Sequence, residues 1–171
     1  VLIQGGTIVD GTGRASIVGD IGIKGETIDA IGQLGDASAS NIIDATGMVV
    51  APGFIDSHTH SDGSLLVNPQ HENGIRQGIT TEILGQDGLS YAPLSPNNYA
   101  VYRHYLSGIL GLPPEDLDMS SVEAFRAHYH KKVAINTAYN VPHGAIRLEV
   151  VGFADVPLVG DSLKKAKTLL R

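Results

Sequence analysis

The sequence predicts an α/β protein. A small β module over residues 1–50 is followed over 51–171 by strands and helices alternating as in a parallel sheet. Three observations carry this reading. Short Ile/Val runs that alternate with polar residues and break at Gly turns fill the first fifty positions. Apolar runs without alternation follow at 54–55, 79–84 and 133–139, as expected of strands buried on both faces. Segments with helix start and stop signals separate them.

Taken in order, Val1-Leu2-Ile3 leads to a predicted turn at Gly5-Gly6, then to Thr7-Ile8-Val9 and a second turn at Asp10-Gly11-Thr12-Gly13. That second turn has the glycines of a phosphate loop but neither its Lys-Ser/Thr ending nor a helix behind it, so it reads as a hairpin turn. Asp20-Ile21-Gly22-Ile23-Lys24, a turn at Gly25-Glu26, Thr27-Ile28-Asp29-Ala30-Ile31 and Ile42-Ile43-Asp44-Ala45 complete a set of half-buried antiparallel strands. Met48-Val49-Val50 begins the non-alternating part. Asn68 as N-cap, Pro69 at the first helical position and Gly78 as terminator predict a helix between strands 54–55 and 79–84. A loop over 86–97 precedes helices at 98–109, with Tyr99, Tyr102 and Leu106 on one stripe, and at 120–131, opened by the capping box Ser120-Ser121-Val122-Glu123. After the strand at 133–139, Asp161 is placed as the cap of a last helix. Three strand-helix units fit either under half of an eight-stranded barrel or an open doubly wound sheet.

Composition narrows the partners. A net charge of −6 with scattered Lys and Arg argues against a nucleic-acid phosphate surface or an anionic membrane. No apolar run reaches the roughly 20 residues of a membrane span. The absence of Cys removes disulfides, thiolate-ligated zinc and a thiol nucleophile, and fits a reducing, cytoplasmic setting. The chain starts at Val1 inside a strand pattern and stops at Arg171 inside a helix pattern, so it is expected to be part of a longer protein.

Residues suited to chemistry follow each of the three strands, and in parallel α/β folds those strand ends face one crevice. His58 and His60 follow the first. In an extended segment i and i+2 point the same way, so two imidazoles can grip one ion while Thr59 points away. Asp56 and Asp62 flank them as carboxylates suited to orienting a ligating imidazole. His128 and His130, with the same spacing, fall on a predicted helix and diverge; His71 and His104 are likewise read as ordinary helix residues. Asp87, in Gly85-Gln86-Asp87-Gly88, follows the second strand as a third ligand, one that suits Zn, Mn, Co or Fe. His143 and Arg147 follow the third strand as substrate-binding candidates, with Arg147 offering a cation to a carboxylate; stabilising the loop after the strand is the alternative for both.

At these residues a family resemblance appears. Val1-Leu2-Ile3-Gln4-Gly5-Gly6-Thr7-Ile8-Val9-Asp10, Ile42-Ile43-Asp44-Ala45-Thr46-Gly47 and Ala51-Pro52-Gly53-Phe54-Ile55-Asp56-Ser57-His58-Thr59-His60 resemble the amidohydrolase superfamily. Gln77-Gly78-Ile79-Thr80-Thr81-Glu82, Gly85-Gln86-Asp87-Gly88-Leu89-Ser90-Tyr91-Ala92-Pro93-Leu94 and His143-Gly144-Ala145-Ile146-Arg147 resemble its N-acyl-D-amino-acid deacylase (D-aminoacylase) branch.

The resemblance implies a TIM-type (β/α) barrel, here partial, preceded by a small β-sandwich that the far C-terminus completes. It implies one or two zinc ions and hydrolysis of an N-acyl-D-amino acid by metal-activated water. It also implies a general-base Asp and further ligand histidines beyond Arg171, so the 171 residues alone are expected to be inactive and to need the remainder of the barrel. One departure is visible: the branch carries Cys where this chain has Asp87. A cyclic amidohydrolase of the dihydroorotase or hydantoinase type and a non-catalytic amidohydrolase-like scaffold are the alternatives, and a homo-oligomer is left open.

Overall fold

Glycine turns and apolar runs resolve into two compact units, Val1–Pro52 and the remainder from Gly53, in a computed structural model that describes residues 1–170. The architecture is mixed α/β.

The first unit is a five-stranded sheet. β1 (Leu2–Ile8), β2 (Ile17–Lys24) and β3 (Thr27–Gly32) form an antiparallel meander, whereas β4 (Ile42–Asp44) and β5 (Val49–Val50) pair with β1 in parallel. Three expectations change here. The strand at Ile42–Asp44, expected to be antiparallel and half-buried, pairs in parallel with β1 and is exposed. The predicted Gly5-Gly6 turn is a bulge inside one continuous strand: the β1–β2 register shifts between Ile3 and Gly6, Gly5 takes φ +71°, and the Gly5 N–H donates to the buried Asp20 carboxylate at 2.9 Å. Met48-Val49-Val50 belongs to this sheet rather than to the following parallel one, and Met48 and Val49 remain exposed. Leu2, Ile8, Ile21 and Ala45 are the buried apolar residues, while Ile28, Ile31, Ile42 and Ile43 are exposed.

The second unit contains a three-stranded parallel sheet ordered β6 (Phe54–Asp56), β7 (Ile79–Leu84), β8 (Asn136–Tyr139). β7 has the predicted bounds; β8 begins three residues later than its apolar run. Helices cover one face. α1 (Asp62–Val67), α3 (Pro96–Tyr105), α4 (Ser107–Leu110), α5 (Val122–Ala127) and α6 (His143–Val151) enclose a core that includes Leu65, Leu84, Tyr99, Leu110, Phe125 and Leu148. α2 (Glu72–Ile75) and α7 (Gly160–Leu169) complete the set. No helix among the described residues is long and apolar enough to cross a membrane.

Several expected boundaries move, each for a local reason. The helix expected from Asn68 to Gln77 forms only as the short α2, with Gly78 at φ +80° ending the turns that follow it. Burying Leu65 draws the helix upstream into α1, the Asn68 N–H closes it on the Ser64 carbonyl at 2.8 Å, and His71 at φ +45° restarts the chain as the short α2. Strand residues Phe54 and Ile55, expected to be buried, are 61% and 65% exposed because β6 is a sheet edge with no layer over it. α3 starts at Pro96 rather than Asn98, since Glu149 accepts from the N–H and hydroxyl of Ser95 and holds that residue as the N-cap.

The capping box expected at Ser120 is displaced by one residue: the Ser121 hydroxyl accepts the Ala124 N–H at 3.0 Å, and the helix ends at Ala127. Ser121→Ala is therefore expected to cost about 1 kcal/mol, and Ser120→Ala less than about 0.5 kcal/mol, read as shifts in the denaturant midpoint. The residues after β8, expected as a loop, form α6 and bury Ala145, Ile146 and Leu148. The last helix is capped at Val159, whose N–H meets the Ser162 hydroxyl at 3.0 Å; Asp161 lies in its first turn and pairs with Lys164.

Candidate metal centre

Parallel pairing puts the C-terminal ends of β6 and β7 side by side, and the chain turns sharply at both. After β6, the Asp56 carboxylate accepts the His58 N–H at 3.1 Å and bends the backbone so that His58 and His60 face the end of β7. After β7, Gly85 at φ +76° starts the short 3₁₀ turn Gln86–Gly88, which carries Asp87. An added Cβ at Gly85 would stand 2.0 Å from the Asn140 carbonyl oxygen, so only glycine fits where this turn leaves the sheet.

The three side chains meet. His58 Nε2 and His60 Nε2 lie 3.2 Å and 3.1 Å from the same oxygen, Asp87 Oδ2, across sequence separations of 29 and 27 residues. The imidazoles stand edge to face, with centroids 5.6 Å apart. Among the described residues this is the group of His, Asp and Glu whose donor atoms, all within 4.8 Å of one another, suit a metal ion. Two imidazoles and a carboxylate with open positions form a donor set that suits Zn and Fe chemistry. Three converging Lewis-basic atoms repel unless a proton or cation lies between them, and the half-exposed His58 and Asp87 leave an approach from solvent.

Asp87 also holds its backbone at φ +55°, in the left-handed region that costs a non-glycine residue energy. Asp87→Gly is expected to raise the stability of the metal-free protein by about 1 kcal/mol, read by thermal unfolding. No gain would mean that the turn is relaxed.

The carboxylates expected to orient the imidazoles act elsewhere. Asp56 accepts from the backbone, as above. Asp62 is fully buried, and its Oδ1 accepts from the Gly85 N–H at 3.1 Å and the Ser90 hydroxyl at 2.5 Å. Burial pushes the Asp62 carboxyl up to about 6, against the pull of the Ser90 and Gly85 hydrogen bonds and of His60. Gln86 extends its amide to the Ser57 carbonyl and the Ile83 carbonyl, each at 2.8 Å.

Of the remaining candidates, His143 is exposed at the start of α6, whose next residue packs against the turn: a Cβ on Gly144 would stand 2.6 Å from the Gly88 carbonyl oxygen. Arg147 turns its guanidinium to the carbonyls of Ala154 and Val156 at 3.2 and 2.8 Å, the loop-stabilising arrangement. His128 sits 2.9 Å from the Asp118 carbonyl, and His104 and His130 are exposed. His71 is no ordinary helix residue: its Nε2 lies 2.7 Å from Glu82 Oε1, while the Ser61 hydroxyl donates to Glu82 Oε2. The signal was Glu82 itself, a carboxylate in the middle of an apolar strand, which burial obliges to find partners.

A model described as the Amidohydrolase family matches residues 41–152. The chain is 37% identical over 164 residues to a D-aminoacylase of Alcaligenes xylosoxydans xylosoxydans, covering 88% of this chain and 30% of that protein. It superposes with a TM-score of 0.83 and 32% identity on N-acyl-D-glutamate deacylase from Bordetella bronchiseptica, a structure complexed with zinc and a phosphonate mimic of the tetrahedral intermediate, covering 99% of this chain and 35% of that one. A D-aminoacylase structure described for its binuclear metal center matches with a TM-score of 0.84 and 32% identity over 98% of this chain and 35% of that one. The chain thus spans about a third of the length of the proteins it matches.

Proposed function

This chain belongs to the amidohydrolase family, and from that premise we propose that the whole protein is a metal-dependent deacylase that hydrolyses the amide bond of N-acyl-D-amino acids. The observation that carries the reading is the convergence of His58 Nε2 and His60 Nε2 on Asp87 Oδ2 at adjacent parallel strand ends. Similarity to a D-aminoacylase and to a zinc-bound D-glutamate deacylase supports the substrate class.

In this reading residues 51–171 are the first part of a (β/α) barrel, and the uncovered Phe54 and Ile55 on β6 await the strands that close it. Residues 1–50 are one part of a β-sandwich whose exposed Ile28, Ile31, Ile42 and Ile43 await a second layer supplied by the rest of the protein. Both are consequences of leaving apolar surface in water, which costs about 25 cal/mol per Å².

His58 and His60 would hold the ion through Nε2 and Asp87 through Oδ2. A bound Zn²⁺, with Mn, Co or Fe as substitutes and one or two ions in place, supplies a Lewis acid toward the amide carbonyl and the attacking water. Asp87 contributes negative charge that offsets the cation, and its turn leaves the solvent side open to substrate. His143, at the start of α6, is the side chain here assigned to contact the substrate. Arg147, committed to the carbonyls of Ala154 and Val156, instead holds the segment after α6 in place. The general base that takes the water proton comes from beyond Arg171.

The test is hydrolysis by the full-length protein of a panel of N-acetyl-D- and N-acetyl-L-amino acids, with dihydroorotate and hydantoins as competing substrates. Amine release from D-substrates, abolished by chelator and restored by zinc, is expected. Turnover confined to the cyclic substrates would contradict the proposal.

A further inference from the structure

Asp62 is an unusual residue to find where it is. Its side chain is fully buried at the first position of α1, and a carboxylate removed from water costs several kcal/mol unless its oxygens are satisfied. Packing alone favours an apolar or neutral side chain at such a position. The partners it does have are distributed in a particular way. Oδ1 accepts from the N–H of Gly85, two residues before Asp87, and from the hydroxyl of Ser90, three residues after it. Asp62 itself lies two residues after His60. The Tyr129 hydroxyl donates to the Asp62 carbonyl at 2.6 Å and ties the segment to the turns that follow α5. Gly85 is closely packed here as well, since a Cβ built on it would stand 2.0 Å from the Asn140 carbonyl oxygen.

We propose that Asp62 is a positioning residue for the metal centre, fixing the distance between the His58–His60 segment and the Asp87 turn before an ion arrives. The inference rests on the reading of His58, His60 and Asp87 as ligands. Gln86 makes the matching tie on the other side, from the residue before Asp87 to the carbonyl of the residue before His58. The two ligand-bearing segments are therefore joined at both edges, and Asp62 is the buried edge.

The experiment compares full-length wild type with Asp62→Ala, Asp62→Asn and Ser90→Ala. It reads Zn²⁺ affinity by competition with a chromophoric chelator and the d–d spectrum of the Co²⁺-loaded protein, beside thermal stability. Asp62→Ala is expected to weaken metal binding about tenfold or more and to change the Co²⁺ band intensities. Asp62→Asn, which keeps an acceptor oxygen for Gly85 and Ser90, is expected to stay within about threefold of wild type with its spectrum intact. A purely structural Asp62 would lower thermal stability and leave affinity and spectrum unchanged, and that result overturns the proposal. If Asp62→Ala does not fold, Ser90→Ala decides: a loss of about threefold supports the tie, and unchanged affinity overturns it. Wild-type protein that binds no metal overturns the ligand assignment, and this inference with it.

Discussion

Replacing His60 by Ala in the full-length protein is expected to abolish zinc retention through dialysis and to lower kcat/KM by at least about 10²-fold, the loss that follows when several kcal/mol of Lewis-acid stabilisation disappears. His60 is the more enclosed imidazole: its side chain is 27% exposed, against 60% for His58, so water replaces its ligand atom less readily. His58→Ala is expected to act in the same direction with a smaller loss of affinity. Neither imidazole belongs to the hydrophobic core, so both variants should keep the stability of metal-free protein within about 1 kcal/mol of wild type. Unaltered zinc content in His60→Ala would remove His60 from the ligand set.

Gly85→Ala is expected to be the most damaging single methyl in the second unit, costing about 3 kcal/mol of stability. Two penalties add. The φ of +76° lies where an L side chain is strained, and the new Cβ would meet the Asn140 carbonyl oxygen at 2.0 Å, far inside van der Waals contact. The backbone cannot yield toward Asp62 without compressing the hydrogen bond from the Gly85 N–H, so relief comes by displacing the Asp87 turn. Metal affinity should fall together with the denaturant midpoint. A Gly85→Ala protein within about 0.5 kcal/mol of wild type would mean that the end of β8 does not approach the turn as described.

The geometry of the centre was more legible in the sequence than the elements that deliver it. His-x-His spacing is informative because an extended backbone has a side-chain period of two, and Asp87 was reachable by counting to the end of an apolar strand whose bounds, Ile79–Leu84, were read correctly. Helix ends were less legible because they are decided by competition. Asn68-Pro69 carries a good start signal, yet Leu65 needs burial and takes the preceding residues into α1, making Asn68 its end. Ser120 and Ser121 are equally good caps in composition; which one serves depends on the turn geometry set by Asp118, which accepts the Ser120 N–H at 2.9 Å.

Gly5-Gly6 shows the same limit in a strand. Glycine pairs signal turns, but the buried Asp20 supplies an acceptor that stabilises a bulge there. The roles of Asp62 and Gln86 depend on two segments meeting, and local pattern carries no distance between residues more than twenty positions apart. His143 and Arg147 looked equivalent in sequence, four and eight residues past the end of β8, and both lie on α6, yet His143 at its first position stands beside the Asp87 turn while Arg147 binds backbone carbonyls further along the chain.

The most direct measurement of the central claim is anomalous diffraction at the zinc edge from crystals of the full-length protein grown with zinc. An anomalous peak is expected about 2.0–2.2 Å from His58 Nε2, His60 Nε2 and Asp87 Oδ2 together. A map with no peak there, and with both imidazoles hydrogen-bonded directly to Asp87, would contradict it.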